Sequence, residues 1–105
     1  MRQGEVYVSD PSPLTGEREL YVVASCDEYN EVGGPTVLVA EVETGTRYRA
    51  TPFGTAVETS YGVVLTDRLR WLPVEFVGER FGQLDTVQVT AVVDGSSRVI
   101  RGSRQ

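Results

Sequence analysis

The chain contains no histidine, no lysine and a single cysteine, Cys26. Without histidine, Ser-His-Asp and Cys-His catalysis are excluded, because both need an imidazole to take the proton from the nucleophile. One thiol and scattered carboxylates do not supply four suitable ligands for an ordinary zinc site, so no metal is assigned and no cofactor is expected. A lone Cys26 forms no internal disulfide, which agrees with a reducing compartment, and it reads as a small half-buried residue at a strand end. There is no run of about 18 apolar residues to span a bilayer. Met1 to Glu5 lacks the apolar stretch of a signal peptide. The expected location is the cytoplasm, with no membrane partner.

What the chain does have is ordinary in amount and unusual in charge. Its 105 residues are 40% hydrophobic and 24% charged, which suits one soluble domain over 1–105 with a single core that needs no staples. Ten basic residues, every one an arginine, face fifteen acidic ones, for a formal net charge of −5. Such a chain repels nucleic acid on average, so binding to it requires a local arginine cluster. Arginine favours planar, bidentate contacts to phosphate or carboxylate, although a GC-rich genome produces the same bias with no functional meaning.

The stretch Thr36 to Thr44 organises the rest. Val37 to Ala40 is an apolar block, and beyond it Glu41 and Glu43 share one face while Val42 takes the other, as in a strand that leaves the core carrying carboxylates. Leu20 to Ala24 and Val63 to Thr66 are similar runs, and three such strands in register make most of a sheet. Gly4 to Asp10 alternates as a first strand with Val6 and Val8 on one face. Two prolines and a glycine between Pro11 and Gly16 then force a loop. Arg18 follows it and leads straight into the second strand, which begins at Leu20 and extends to Ser25.

Asp27 to Pro35 is polar and ends in Gly33-Gly34-Pro35, so it reads as a connection in which Asn30 caps a turn. Thr44-Gly45-Thr46 reads as a tight turn, and residues 47–51 as an exposed strand with Arg47 and Arg49 on one face. A short strand at Ala56 to Thr59 and a turn at Tyr61-Gly62 follow. From Val63 to Arg70 the alternation puts Arg68 and Arg70 on one face and Asp67, Leu69 and Trp71 on the other. Pro73 to Gly82 reads as a connection with one helical turn at Val74 to Val77. In Leu84 to Ile100, strand propensity and helical spacing compete. Asp85 is a plausible N-cap, yet Asp94-Gly95 would turn a hairpin equally well.

In order and spacing, these pieces resemble the MazF/PemK (Kid) toxins of bacterial toxin–antitoxin systems. The resemblance is carried by Arg2-Gln3-Gly4-Glu5-Val6-Tyr7 with Asp10 and Pro13, Arg18 before Tyr21-Val22-Val23, Asn30, Thr36 to Ala40, Val63-Val64-Leu65 with Asp67 and Leu69-Arg70, and Leu84-Asp85. It implies a mainly β fold, a strongly bent antiparallel sheet of SH3-like barrel character with a C-terminal helix after Asp85. It also implies a homodimer that cleaves single-stranded RNA without metal and is held inactive by an antitoxin peptide.

Cleavage of RNA through its own 2′-hydroxyl needs a group to take that proton, a cation for the charged phosphorane and a donor for the leaving 5′-oxygen, all available without histidine. The resemblance implies an arginine at the start of the second strand and a threonine at the end of the third. Arg18 matches the first. The second position falls on Glu43, with Thr44 one residue later and so on the other face unless the strand bulges. The loop before Arg18 is shorter than is usual, its Gly-Ser-Glu-Gln string is absent, and Glu19 stands where a proline is usual.

The candidate catalytic residues are therefore Arg18, Glu43 and Thr44, and the candidate RNA-binding residues are Arg47, Arg49, Arg68 and Arg70. Each also has a plain reading. Arg18 pairs equally well with Glu17 or Glu19 on the surface, and Glu43 is either a general base or a solvated carboxylate that repels phosphate. The arginine stripes also suit the wet face of a half-buried sheet. Trp71 and Tyr48 could stack bases, but Trp71 shares a face with Leu69 and reads as core or dimer interface. Beside the ribonuclease toxin stands a second reading, a catalytically silent barrel that binds a protein partner. A gyrase poison of the CcdB type fits less well, because Val99-Ile100-Arg101-Gly102 carries no tryptophan.

Overall fold

In a computed structural model, which describes residues 1–11, 13–44 and 56–102, six antiparallel strands curl into a half-barrel closed on one side by a C-terminal helix. The strands are β1 (Glu5–Val8), β2 (Leu20–Val23), β3 (Thr36–Glu43), β4 (Ala56–Thr59), β5 (Gly62–Pro73) and β6 (Arg80–Gln83), and their order across the sheet is β4-β5-β3-β2-β1-β6. The β-branched run 36–43 thus becomes a central strand, with β2 and β5 as its neighbours. The expected turn at 44–46 and strand at 47–51, with Arg47 and Arg49, lie outside the described residues apart from Thr44.

Alternation in the strands sends two sets of side chains to opposite faces. Val6, Val22, Ala40 and Val64 form one buried cluster with Leu84 and Val92, the latter from helix α2 (Thr86–Arg101), which packs on β4 and β5. Tyr21, Val23, Val37, Val39 and Leu72 form a second cluster on the other face, joined by Tyr7 and Val77. The competition between hairpin and helix after Leu84 is resolved as helix. Asp85 accepts from the Gln88 N–H at 2.8 Å while the Gln88 side chain accepts from the Asp85 N–H at 3.2 Å, a reciprocal capping box. Arg98 and Arg101 in the last turn oppose the negative end of the helix dipole. Gly95 and Ser96, which would weaken a solvated helix, are buried; among the described residues the Ser96 hydroxyl has no hydrogen-bond partner.

Four expectations are corrected. The connection 27–35 contains a one-turn helix, α1 (Asp27–Glu31), too short to show a period. It is fixed by the Ser25 hydroxyl donating to Asn30 Oδ1 at 2.6 Å and by Asn30 Nδ2 donating to the Ser25 carbonyl. The connection 73–82 carries a 3₁₀ turn at Val74–Phe76, as expected, but ends in strand β6. Arg-Phe-Gly-Gln has no strand pattern of its own and is recruited by backbone pairing to β1, with the Arg80 guanidinium 2.7 Å from Glu5. Cys26 is exposed at the N-cap of α1. Trp71 is not core: it is 56% exposed, with its ring tilted against Tyr29 at 5.6 Å.

Candidate active site

The β2–β3 ladder decides where the candidate residues meet. Leu20 pairs with Val42, Tyr21 with Glu41, Val22 with Ala40 and Val23 with Val39. In an antiparallel pair the chain entering one strand and the chain leaving the other emerge at the same end of the sheet. Arg18 and Glu19, just before Leu20, are therefore beside Glu43 and Thr44, just after Val42. Together they line a cleft of about 280 Å³ with Glu17, Tyr21 and Glu41. All three candidate catalytic residues thus share one cleft.

Thr44 reaches it without the bulge in β3 that its parity seemed to require. The β2–β3 register is unbroken to Val42; the irregularity lies on the opposite edge, where Ala40 faces Leu69 but Glu41 faces Leu65, so Thr66, Asp67 and Arg68 stand outside the β3 register. Thr44 is past the last residue of the strand, and alternation no longer binds it. Glu43 is half-buried and Thr44 exposed.

Among the described residues Arg18 makes no hydrogen bond or ion pair, so the surface pairing with Glu17 or Glu19 is not formed. Glu19 is occupied elsewhere: its carboxylate accepts from the Tyr21 hydroxyl and lies 3.8 Å from Arg70 Nη1. Arg70 Nη1 also donates to the Tyr21 oxygen at 3.3 Å, and its guanidinium stands 5.7 Å from the centre of the Tyr21 ring. Burial first, and then the hydrogen bond and charge of Glu19, push the Tyr21 phenol up to about 12 against the opposing pull of Arg70. Tyr21 is therefore a neutral donor at any physiological pH.

Of the candidate RNA-binding residues, Arg70 reaches the cleft through Tyr21, whereas Arg68 is exposed in the irregular part of β5 and does not line it. Arg47 and Arg49 are outside the described residues. Sequence reasoning missed Tyr21, Glu17 and Glu41 as cleft residues. The signal for Tyr21 and Glu41 was present, since Glu19 and Tyr21, like Glu41 and Glu43, are two apart on strands that pair. Among the described residues, four carboxylates, Glu17, Glu19, Glu41 and Glu43, line this cleft with a single cation, Arg18. Among the described residues no group of acidic or thiol side chains is arranged to hold a metal ion, and no helix is long and apolar enough to cross a membrane.

A curled antiparallel half-barrel, a C-terminal helix and a polar cleft at the β2–β3 end describe a class of small, strongly bent β-barrels. Residues 2–98 match the family of PemK-like, MazF-like toxins of type II toxin–antitoxin systems, and the chain belongs to that family. No curated relative matches it in sequence. Among solved structures, a mycobacterial endoribonuclease in complex with its cognate antitoxin is similar, with TM-score 0.76 and 17% identity over 100% of this chain and 98% of that one. A second mycobacterial endoribonuclease gives TM-score 0.77 and 15% identity over 100% and 95%. MazF in the MazE–MazF complex from Deinococcus radiodurans gives 0.71 and 21% over 94% of each chain. These likenesses establish the fold.

Proposed function

We propose that the chain is a metal-independent endoribonuclease toxin that cleaves single-stranded RNA at the cleft between β2 and β3, as a homodimer inhibited by a cognate antitoxin peptide. The observation that carries this is the convergence of Arg18, free of any ion pair among the described residues, with Glu43 and Thr44 in one cleft. The similar structures named as endoribonucleases and as antitoxin complexes support the same reading. Exposed Trp71, with Tyr29 tilted against it, supplies apolar surface for a second copy.

The chemistry needs no cofactor. A 2′-hydroxyl attacks the adjacent phosphorus, the 5′-oxygen leaves, and a 2′,3′-cyclic phosphate remains. The Glu43 carboxylate accepts the 2′-hydroxyl proton, and the Arg18 guanidinium stabilises the equatorial oxygens of the phosphorane. Thr44, a hydroxyl at the cleft rim, orients a phosphate oxygen. The leaving 5′-oxygen takes its proton from solvent or from a second donor in the cleft.

One observation favours a second reading. Four carboxylates beside one arginine make the cleft repel phosphate, which suits a catalytically silent barrel that binds a protein partner. Incubation of the purified chain with a long single-stranded RNA in EDTA, beside Arg18→Ala, separates the two. Discrete cleavage by the wild type and none by the variant is the expected result. Intact RNA from folded wild type removes the ribonuclease reading and leaves the protein-binding one.

A further inference from the structure

The cleft that holds Arg18 does not end at Tyr21. A shallow hollow lined by Ser9, Asp10, Thr15, Glu17 and Glu19 shares Glu17 and Glu19 with it, and a second cleft of about 430 Å³ shares Ser9 and Asp10 with that hollow and Tyr21 with the first cleft. The three adjoin through these shared residues as a trough beside the start of β2 and the loop before it, and the far cleft is within the range of small-ligand sites. Its lining has three chemically distinct parts. Phe76, 61% exposed, is an aromatic face turned to solvent. Arg70 is a planar fork whose hydrogen bond to Tyr21 and ion pair with Glu19 are both made by Nη1. Asp10 is an exposed carboxylate that has no hydrogen-bond or ion-pair partner for its side chain among the described residues.

Resting on the ribonuclease reading of the neighbouring cleft, we infer that this second cleft is a base-specificity subsite for guanine in the bound RNA strand. An exposed aromatic face gives any base a stacking surface and selects none. The selection comes from the two charged groups. A carboxylate accepts only, so Asp10 requires a base edge with hydrogen-bond donors, and guanine alone offers two adjacent ones, N1–H and N2–H. Arg70 donates only, and the adjoining edge of the same base carries the O6 and N7 acceptors that arginine engages in pairs. Adenine presents an acceptor at N1 to Asp10, and uracil has a single N–H between two carbonyls. Cytosine has an amino group beside an acceptor. The carboxylates along the trough, which oppose phosphate, suit a base edge rich in donors.

Tyr21 sets the position of this fork. Its hydroxyl and ring both contact Arg70, and it lines both clefts, so Arg70 is held at their junction.

The test uses fluorescent tetranucleotides with 2′-deoxy sugars, which are not cleaved, carrying guanine, adenine, cytosine or uracil at each position in turn, with binding read by anisotropy. At one position the wild type is expected to bind the guanine oligonucleotide about tenfold more tightly than the other three. Asp10→Asn is expected to abolish that preference, and Phe76→Ala to weaken all four by about tenfold alike. Both residues are exposed, so the variants retain the fold, which circular dichroism checks. No binding, no guanine preference, or a preference unchanged in Asp10→Asn overturns the inference. Cleavage of the 2′-hydroxyl oligonucleotides is scored separately: guanine-selective binding without cleavage supports the subsite and refutes the ribonuclease reading, and cleavage without guanine preference does the reverse.

Discussion

Leu20 lies directly opposite Val42 in the β2–β3 ladder, and that one pairing brings the chain before β2 and the chain after β3 to the same place. Arg18 is two residues before Leu20 and Thr44 two after Val42, so the register extended beyond the sheet sets them face to face. A slip of one residue would move Glu41 and Glu43 to the helix-covered face and bury their charge.

Arg18→Ala is expected to lower RNA cleavage by about 10²- to 10³-fold, the usual loss when a group stabilising transition-state charge is removed. Its side chain is exposed and unengaged among the described residues, so the melting temperature is expected to stay within about 3 °C of wild type, as for surface changes of under about 0.5 kcal/mol. Single-turnover cleavage and a thermal melt of the same preparations check both.

Glu43→Gln removes a proton acceptor while keeping shape. If Glu43 takes the 2′-hydroxyl proton, cleavage falls by about 10²- to 10⁴-fold, while binding of uncleavable RNA is unchanged or tighter because a carboxylate has left an acidic cleft. A Glu43→Gln variant as active as wild type transfers the role of base away from this residue. Rates and anisotropy on matched RNA and 2′-deoxy substrates separate the outcomes.

The Tyr21 phenol, raised to about 12 from an ordinary value of 10, links stability to alkaline pH. A group whose pKa is raised on folding contributes its stabilisation in full below the unfolded pKa and loses it as pH rises through the folded one. The wild type is therefore expected to lose stability between about pH 10 and 12, and Tyr21→Phe to lose less over that window. Tyr7 is raised in the same direction by burial and by Glu5, so the variant reduces the alkaline loss without removing it. Melting temperatures at pH 8, 10 and 11.5 provide the comparison.

Ser96→Ala is expected to stabilise the fold by about 1 kcal/mol. The Ser96 hydroxyl is buried with no hydrogen-bond partner among the described residues, and alanine removes that desolvated dipole and improves helix propensity. Asp85→Ala is expected to lower stability by about 1 kcal/mol, because it removes the side-chain half of the capping box. Urea unfolding of both variants tests the opposite signs.

Some of this was legible in the residues and some was not, for reasons of range. Thr36 to Glu43, Leu20 to Val23 and the long strand from Gly62 are dense in β-branched residues, and local sterics favour a strand there. The helix after Asp85 was half-legible: Asp85 was visible as an N-cap, but Gly95 and Ser96 argued against a helix until packing on β4 and β5 gave small residues a use. Strand β6 was illegible, because Arg80 to Gln83 pairs only when β1 presents an open edge. The sequence by itself determined the chemistry on offer, arginine and carboxylate without imidazole, and also the parity that sets Glu41 with Glu43. The tertiary structure alone decided that Arg18 meets Glu43 and Thr44, and that Arg70 turns to Tyr21 while Arg68 turns to solvent. Those outcomes depend on ladder register and on an irregularity in β5, both fixed by residues distant in the chain and neither encoded at the positions they place.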